Sequence, residues 1–180
     1  MGVTRAVVGI LAMMGIWAGG GAWAGEHMIG QPVEINGLKV ESAFLQAVTM
    51  DPQDEMCGPV EADIHLTALI HALPGNRNGF AAGEWIPNLT VSFELTRRGS
   101  PYKATGVLVP MVAEGGPHYG KNLKLDGPGK YHLAITVQPP QLTGFFRHVD
   151  KETGVAGWWE PFKEEWDFVF VGSPGKKGGY

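Results

Sequence analysis

Leu89-Thr90-Val91-Ser92-Phe93-Glu94-Leu95-Thr96 alternates apolar and polar side chains residue by residue. A strand turns successive side chains to opposite faces, so this period of two predicts a strand with one buried and one wet face. The same rhythm recurs on both sides of it. Tyr131, Leu133, Ile135 and Val137 alternate with His132, Ala134 and Thr136. Ile64, Leu66, Ala68, Ile70 and Ala72 form one face of a run whose other face is Asp63, His65, Thr67, Leu69 and His71. Trp166 to Val171 reads as a late, aromatic-rich strand. Turn residues separate the runs at Pro74-Gly75-Asn76, Asn78-Gly79, Arg98-Gly99, Gly115-Gly116-Pro117 and Asp126-Gly127-Pro128-Gly129. Short strands punctuated by Gly and Pro predict two antiparallel sheets packed face to face.

The N-terminus differs in kind. Arg5 precedes an apolar run from Ala6 to Trp17, and Ala22-Trp23-Ala24 is a small-residue cleavage site before Gly25. Gly19-Gly20-Gly21 cuts the apolar run below the roughly 20 residues that a spanning helix needs. Residues 1–24 are therefore expected to be a cleaved signal peptide, with export and no membrane insertion afterwards. Residues 25–172 are expected to form one β domain, and residues 173–180, with Pro174 and three glycines, a flexible tail. Loss of Arg5 takes the formal charge from −4 to −5. A mildly acidic chain gives no reason to expect nucleic acid, and cations are the better-matched ligands. Cys57 is the only cysteine, so no intrachain disulfide can form. Its thiol is left as a small buried group, an intermolecular link or a soft metal ligand.

All six histidines follow Gly25: His27, His65, His71, His118, His132 and His148. Met28, Met50, Met56 and Met111 follow it too. Imidazole is the commonest metal ligand near neutral pH, and a thioether beside it favours copper. Spacing adds nothing, because the chain has no H-x-H, H-E-x-x-H or C-x-x-C. Composition thus leaves a metal site and a set of ordinary histidines both open.

The local settings of these residues are more distinctive. Ala62-Asp63-Ile64-His65-Leu66 is followed by Ile70-His71-Ala72-Leu73. Pro110-Met111-Val112-Ala113 leads to Gly116-Pro117-His118-Tyr119-Gly120. Gly144-Phe145-Phe146-Arg147-His148-Val149-Asp150 leads to Glu152-Thr153-Gly154-Val155. With Asn78-Gly79-Phe80, Trp85-Ile86-Pro87 and Trp159-Glu160-Pro161-Phe162, these strings closely resemble the periplasmic iron-transport proteins that accompany a high-affinity iron permease in bacteria. The resemblance spans nearly all of residues 25–172. It implies an immunoglobulin-like antiparallel β-sandwich that forms a homodimer with a copper site near the interface. Carried over position by position, it implies His65, Met111, His118 and His148 as ligands, with His148 arriving from the second subunit. It also implies a periplasmic location, an inner-membrane iron permease as partner, and iron as a second metal.

The chain departs from that family at one telling position. Many members place a glutamate two residues after the first ligand histidine, where this chain has Thr67. Some carry a carboxylate where it has Gly115, although Glu114 is adjacent. A second metal position would need other donors, and Glu55, Met56 and Cys57 offer carboxylate, thioether and thiolate just upstream of His65. Cleavage before Gly25 would also begin the chain Gly25-Glu26-His27. A free amine, two deprotonated amides and a third-position histidine can wrap Cu(II) in a square plane.

Two functions use the same copper ligands: support of ferrous iron uptake, and copper trafficking or resistance without an iron role. An enzyme is not expected. The chain lacks the histidine spacing of a copper dismutase, and Cys57 lacks the closely following histidine and methionine of a blue-copper carrier.

Overall fold

Each alternating run becomes a strand. A computed structural model describes residues 25–59 and 61–172, so the expected signal and tail lie outside the described residues. The described strands are β1 (His27–Met28), β2 (Val33–Ile35), β3 (Leu38–Leu45), β4 (Ile64–Ala72), β5 (Thr90–Arg97), β6 (Lys103–Ala113), β7 (Gly116–Leu123), β8 (Gly129–Gln138) and β9 (Phe162–Phe170). Every strand pairing is antiparallel, in the order β1-β3-β4-β7-β6-β5-β8-β9, with β2 also on β3. This is the expected antiparallel β-sandwich of immunoglobulin type.

One long strand joins the two layers. The first half of β6 pairs with β5, from Lys103 opposite Thr96 to Leu108 opposite Val91. Its second half pairs with β7, from Val109 opposite Gly120 to Ala113 opposite Gly116. Pro110 falls just after the change of partner. There β6 has left β5, so a residue without an N–H costs no ladder bond on that side.

The inward faces form the core: Ile64, Leu66 and Ile70 of β4 meet Val91, Phe93 and Leu95 of β5 and Leu133, Ile135 and Val137 of β8. Each such side chain contributes about 1.5–3 kcal/mol by leaving water. Phe44 of β3 lies 5.3 Å from Phe168 of β9, and Trp166 Nε1 donates to the Gln31 carbonyl at 3.0 Å. These contacts tie β9 to β3 and to the segment between β1 and β2.

The outward face of β4 is buried in its first half and half-buried at Leu69 and His71. His65 is 1% exposed and Thr67 3%. The chain after β3 folds back over them. Val48 donates its amide to Asn122 Oδ1 at 3.2 Å, and Asn122 Nδ2 donates to the carbonyls of Val48 at 2.8 Å and Pro59 at 3.4 Å. Lys121 Nζ donates to the carbonyls of Glu55 and Met56. The approach at Gly58 is close enough that a Cβ there would lie 2.1 Å from the Asn122 carbonyl oxygen, and its φ is +89°. Only glycine fits both demands.

Candidate metal centre

Strand register builds the site. Antiparallel partners point to the same face, as do residues two apart on one strand. His65 pairs with Asn122, and Thr67 pairs with Gly120, so His118, Gly120 and Asn122 of β7 share the face of His65 and Thr67. Met111 of β6 pairs with His118 and joins that face. A hairpin whose turn is only Glu114 and Gly115 fixes this last register.

The two imidazoles meet edge to face, with centroids 5.7 Å apart. Their Nε2 atoms are 3.4 Å apart. Nδ1 of His65 faces Asn122 Oδ1 at 3.0 Å, and Nδ1 of His118 faces the Gly116 carbonyl at 3.3 Å. Burial drives the His65 pKa down to about 4; the bond to Asn122 opposes this and His118 adds to it. Burial also lowers His118, against its bond to the Gly116 carbonyl. Both rings are therefore neutral near pH 7, the form that binds a metal. Metal–imidazole bonds of about 2.0 Å can meet at one point from two nitrogens at this spacing. With a thioether on the same face, the donor set fits a soft or borderline ion such as copper.

Thr67 takes no part in this donor set. Its hydroxyl donates to the Ala43 carbonyl at 3.1 Å, which directs it into the backbone of the sheet. Among the described residues, no third histidine, cysteine or carboxylate joins His65 and His118 to make a group of three. His148 lies on the arm between the short 3-10 turn Pro140–Thr143 and β9. Its side chain is 75% exposed, and its Nδ1 faces Thr153 Oγ1 at 2.8 Å.

The other candidate donors are dispersed. Glu114 is exposed at the β6–β7 turn. Glu55, Met56 and Cys57 form a single 3-10 turn capped by Asp54, which accepts from the amides of Met56 and Cys57. The Met56 side chain is exposed, while the Cys57 thiol is buried and faces the Pro52 carbonyl at 3.7 Å. His27 begins β1 and stacks on Phe44 at 5.0 Å. Asp63 bonds Lys124 through one oxygen and the Leu125 amide through the other. His71 stands opposite Lys39 at the far end of β4. Sequence reasoning missed Gly120 and Asn122. Counting in twos from His118 would have placed both on its face.

The Fe2+ transport protein family matches the chain over residues 23–172. The UPF0423 protein of Brucella abortus is 48% identical over 155 residues, covering 84% of this chain and 85% of its own. The 34 kDa membrane antigen of Treponema pallidum is 35% identical over 147 residues, covering 79% of this chain and 72% of its own. Two solved structures share the fold closely. FetP of uropathogenic E. coli, recombinantly expressed in the periplasm, is 44% identical with a TM-score of 0.77, covering 82% of this chain and 97% of its own. The copper-reconstituted P19 protein of Campylobacter jejuni is 43% identical with a TM-score of 0.80, covering 84% of this chain and 100% of its own.

Proposed function

Because the chain belongs to the Fe2+ transport protein family, we propose that it is a periplasmic copper-binding protein supporting ferrous iron uptake by an inner-membrane permease. The observation that carries the copper site is the 3.4 Å approach of the Nε2 atoms of buried His65 and half-buried His118, both held neutral, with Met111 the register partner of His118. His65, His118 and Met111 would hold the ion from one subunit, and His148 from the second subunit of a homodimer would complete it. Copper held by nitrogen and sulfur can change oxidation state without leaving its ligands. The arm that carries His148 supports the dimer. It and the 3-10 turn before it expose Leu142, Phe146 and Val149, with Phe146 90% exposed, and exposed apolar side chains grouped in this way mark contact surfaces.

A second ion, iron, is proposed to lie nearby, with Glu114, Glu55, Met56 and Cys57 as further donors. Equilibrium dialysis against both metals tests this, and a copper-loaded dimer that takes up no iron would refute it. Metal content unchanged by alanine at Glu55, Met56 and Cys57 together would remove that segment. His27 is proposed to bind Cu(II) with the Gly25 amine; a Cu(II) spectrum unaffected by blocking that amine would exclude it.

Titration of the mature protein with Cu(I) tests the main site. One ion per chain is expected, lost in both His65→Ala and His118→Ala. Full binding in both variants would overturn the assignment. Growth of a deletion strain on limiting iron, against growth in excess copper, separates iron uptake from copper trafficking.

A further inference from the structure

Each proposed histidine ligand uses the same ring nitrogen for hydrogen bonding. His65 turns Nδ1 to Asn122 Oδ1 at 3.0 Å, His118 turns Nδ1 to the Gly116 carbonyl at 3.3 Å, and His148 turns Nδ1 to Thr153 Oγ1 at 2.8 Å. The partners determine which way each proton points. A carbonyl only accepts, so His118 donates from Nδ1.

The amide of Asn122 cannot flip. Its Nδ2 donates to two carbonyls, those of Val48 and Pro59, while its Oδ1 already accepts from the Val48 amide. His65 must therefore donate to Oδ1. Asn122 is fully buried, so each of these bonds stands in place of water.

The Thr153 hydroxyl has one proton, and it goes to Asp150 Oδ2 at 2.8 Å. Asp150 Oδ1 accepts from the amides of Glu152 and Thr153, which holds the carboxylate in place. The hydroxyl is left to accept from His148 Nδ1. A neutral imidazole carries one N–H, so each of these rings, in its metal-binding neutral form, has its lone pair on Nε2. For His65 and His118 this tautomer brings the two Nε2 lone pairs within 3.4 Å of each other, an arrangement that a cation bound between them would stabilise.

We propose that Asn122 and the Thr153–Asp150 pair are positioning residues of the metal centre. They hold His65 and His148 in the Nδ1–H tautomer, so that both rings offer Nε2 to one ion. The inference rests on the copper-binding reading for its ligand. Hydrogen-bonded partners of this type set ring orientation and raise ligand basicity, and their loss costs about 10–100-fold in metal affinity.

Long-range proton–nitrogen NMR of the metal-free, labelled protein reads each tautomer directly. Wild type should show Nδ1–H at His65, His118 and His148. Thr153→Val should move His148 toward the Nε2–H form that free imidazole prefers and weaken Cu(I) about 10–100-fold in competition with a chromophoric chelator. Thr153→Ser keeps the hydroxyl and should restore both. Asn122→Ala should do the same to His65; if it does not fold, Thr153→Val, on an exposed arm, still decides. Nε2–H at His65 or His148 in wild type overturns the inference, and so does a weakened Thr153→Val with an unchanged tautomer. Failure of wild type to bind copper would sink the copper reading alone, because the tautomers are read without metal.

Discussion

Gly120 lies directly against His65: a Cβ at Gly120 would stand 2.5 Å from Nε2 of that ring and 3.2 Å from Cδ2 of His118. The requirement is for space, since the backbone there is ordinary strand. Gly120→Ala should push the two rings apart. Overpacking of this kind costs about 1–3 kcal/mol, and Cu(I) affinity should fall at least about tenfold with the altered ligand geometry. Urea unfolding and chelator competition would measure the two effects; an unchanged affinity would contradict the placement of the site.

His65 makes stability depend on pH. Its folded pKa of about 4 lies below the ordinary 6.5 because burial disfavours the charged ring. On acidification the unfolded chain takes the proton first. The stabilisation is complete above about pH 6.5 and is lost as the pH falls toward about 4, in total roughly 3 kcal/mol. Unfolding of metal-free wild type across this window should show the loss, and His65→Gln should show a flatter dependence.

Thr67 fills a place where a carboxylate would change the metal preference. Its hydroxyl is bonded to Ala43, its register partner on β3. Thr67→Glu should destabilise the metal-free protein by about 1–3 kcal/mol, through the lost bond and the buried carboxylate. It should also bring measurable Mn2+ or Fe2+ binding, because carboxylate oxygen suits harder cations. Calorimetric titration showing no gain would remove position 67 as the control of a second metal.

His148 is exposed and its hydrogen bond is to Thr153 on its own arm, so His148→Ala should alter stability by less than about 0.5 kcal/mol. Copper affinity and any copper-dependent dimer should nevertheless be lost. Mixing His65→Ala with His148→Ala should restore one site per mixed dimer, read by copper content after gel filtration. A mixture that stays without copper would show that the donors do not come from different subunits.

The strands were legible where alternation is local and uninterrupted. The run from Asp63 to Ala72 is read within one residue of β4, and the runs at Leu89 and Tyr131 within a residue or two of β5 and β8. β6 was harder to read because Gly106 and Pro110 interrupt its pattern, and its change of sheet depends on two different partners. His65, Met111, His118 and His148 could be singled out by the short strings around them.

Their spatial relation could not be read that way. His65 and His118 are 53 residues apart, and their 3.4 Å approach exists only because β4 pairs with β7 in one register. Slipping that register by one residue would turn His118 to the opposite face. The sequence alone determined the alternating strands β4, β5 and β8 and the family, and it named the candidate donors, since those depend on patterns within a few residues. Only the tertiary structure decided which nitrogens converge, that Asn122 orients one of them, and that Gly120 leaves room for both. Each of these depends on a contact between distant strands, where a few tenths of an ångström determine what fits.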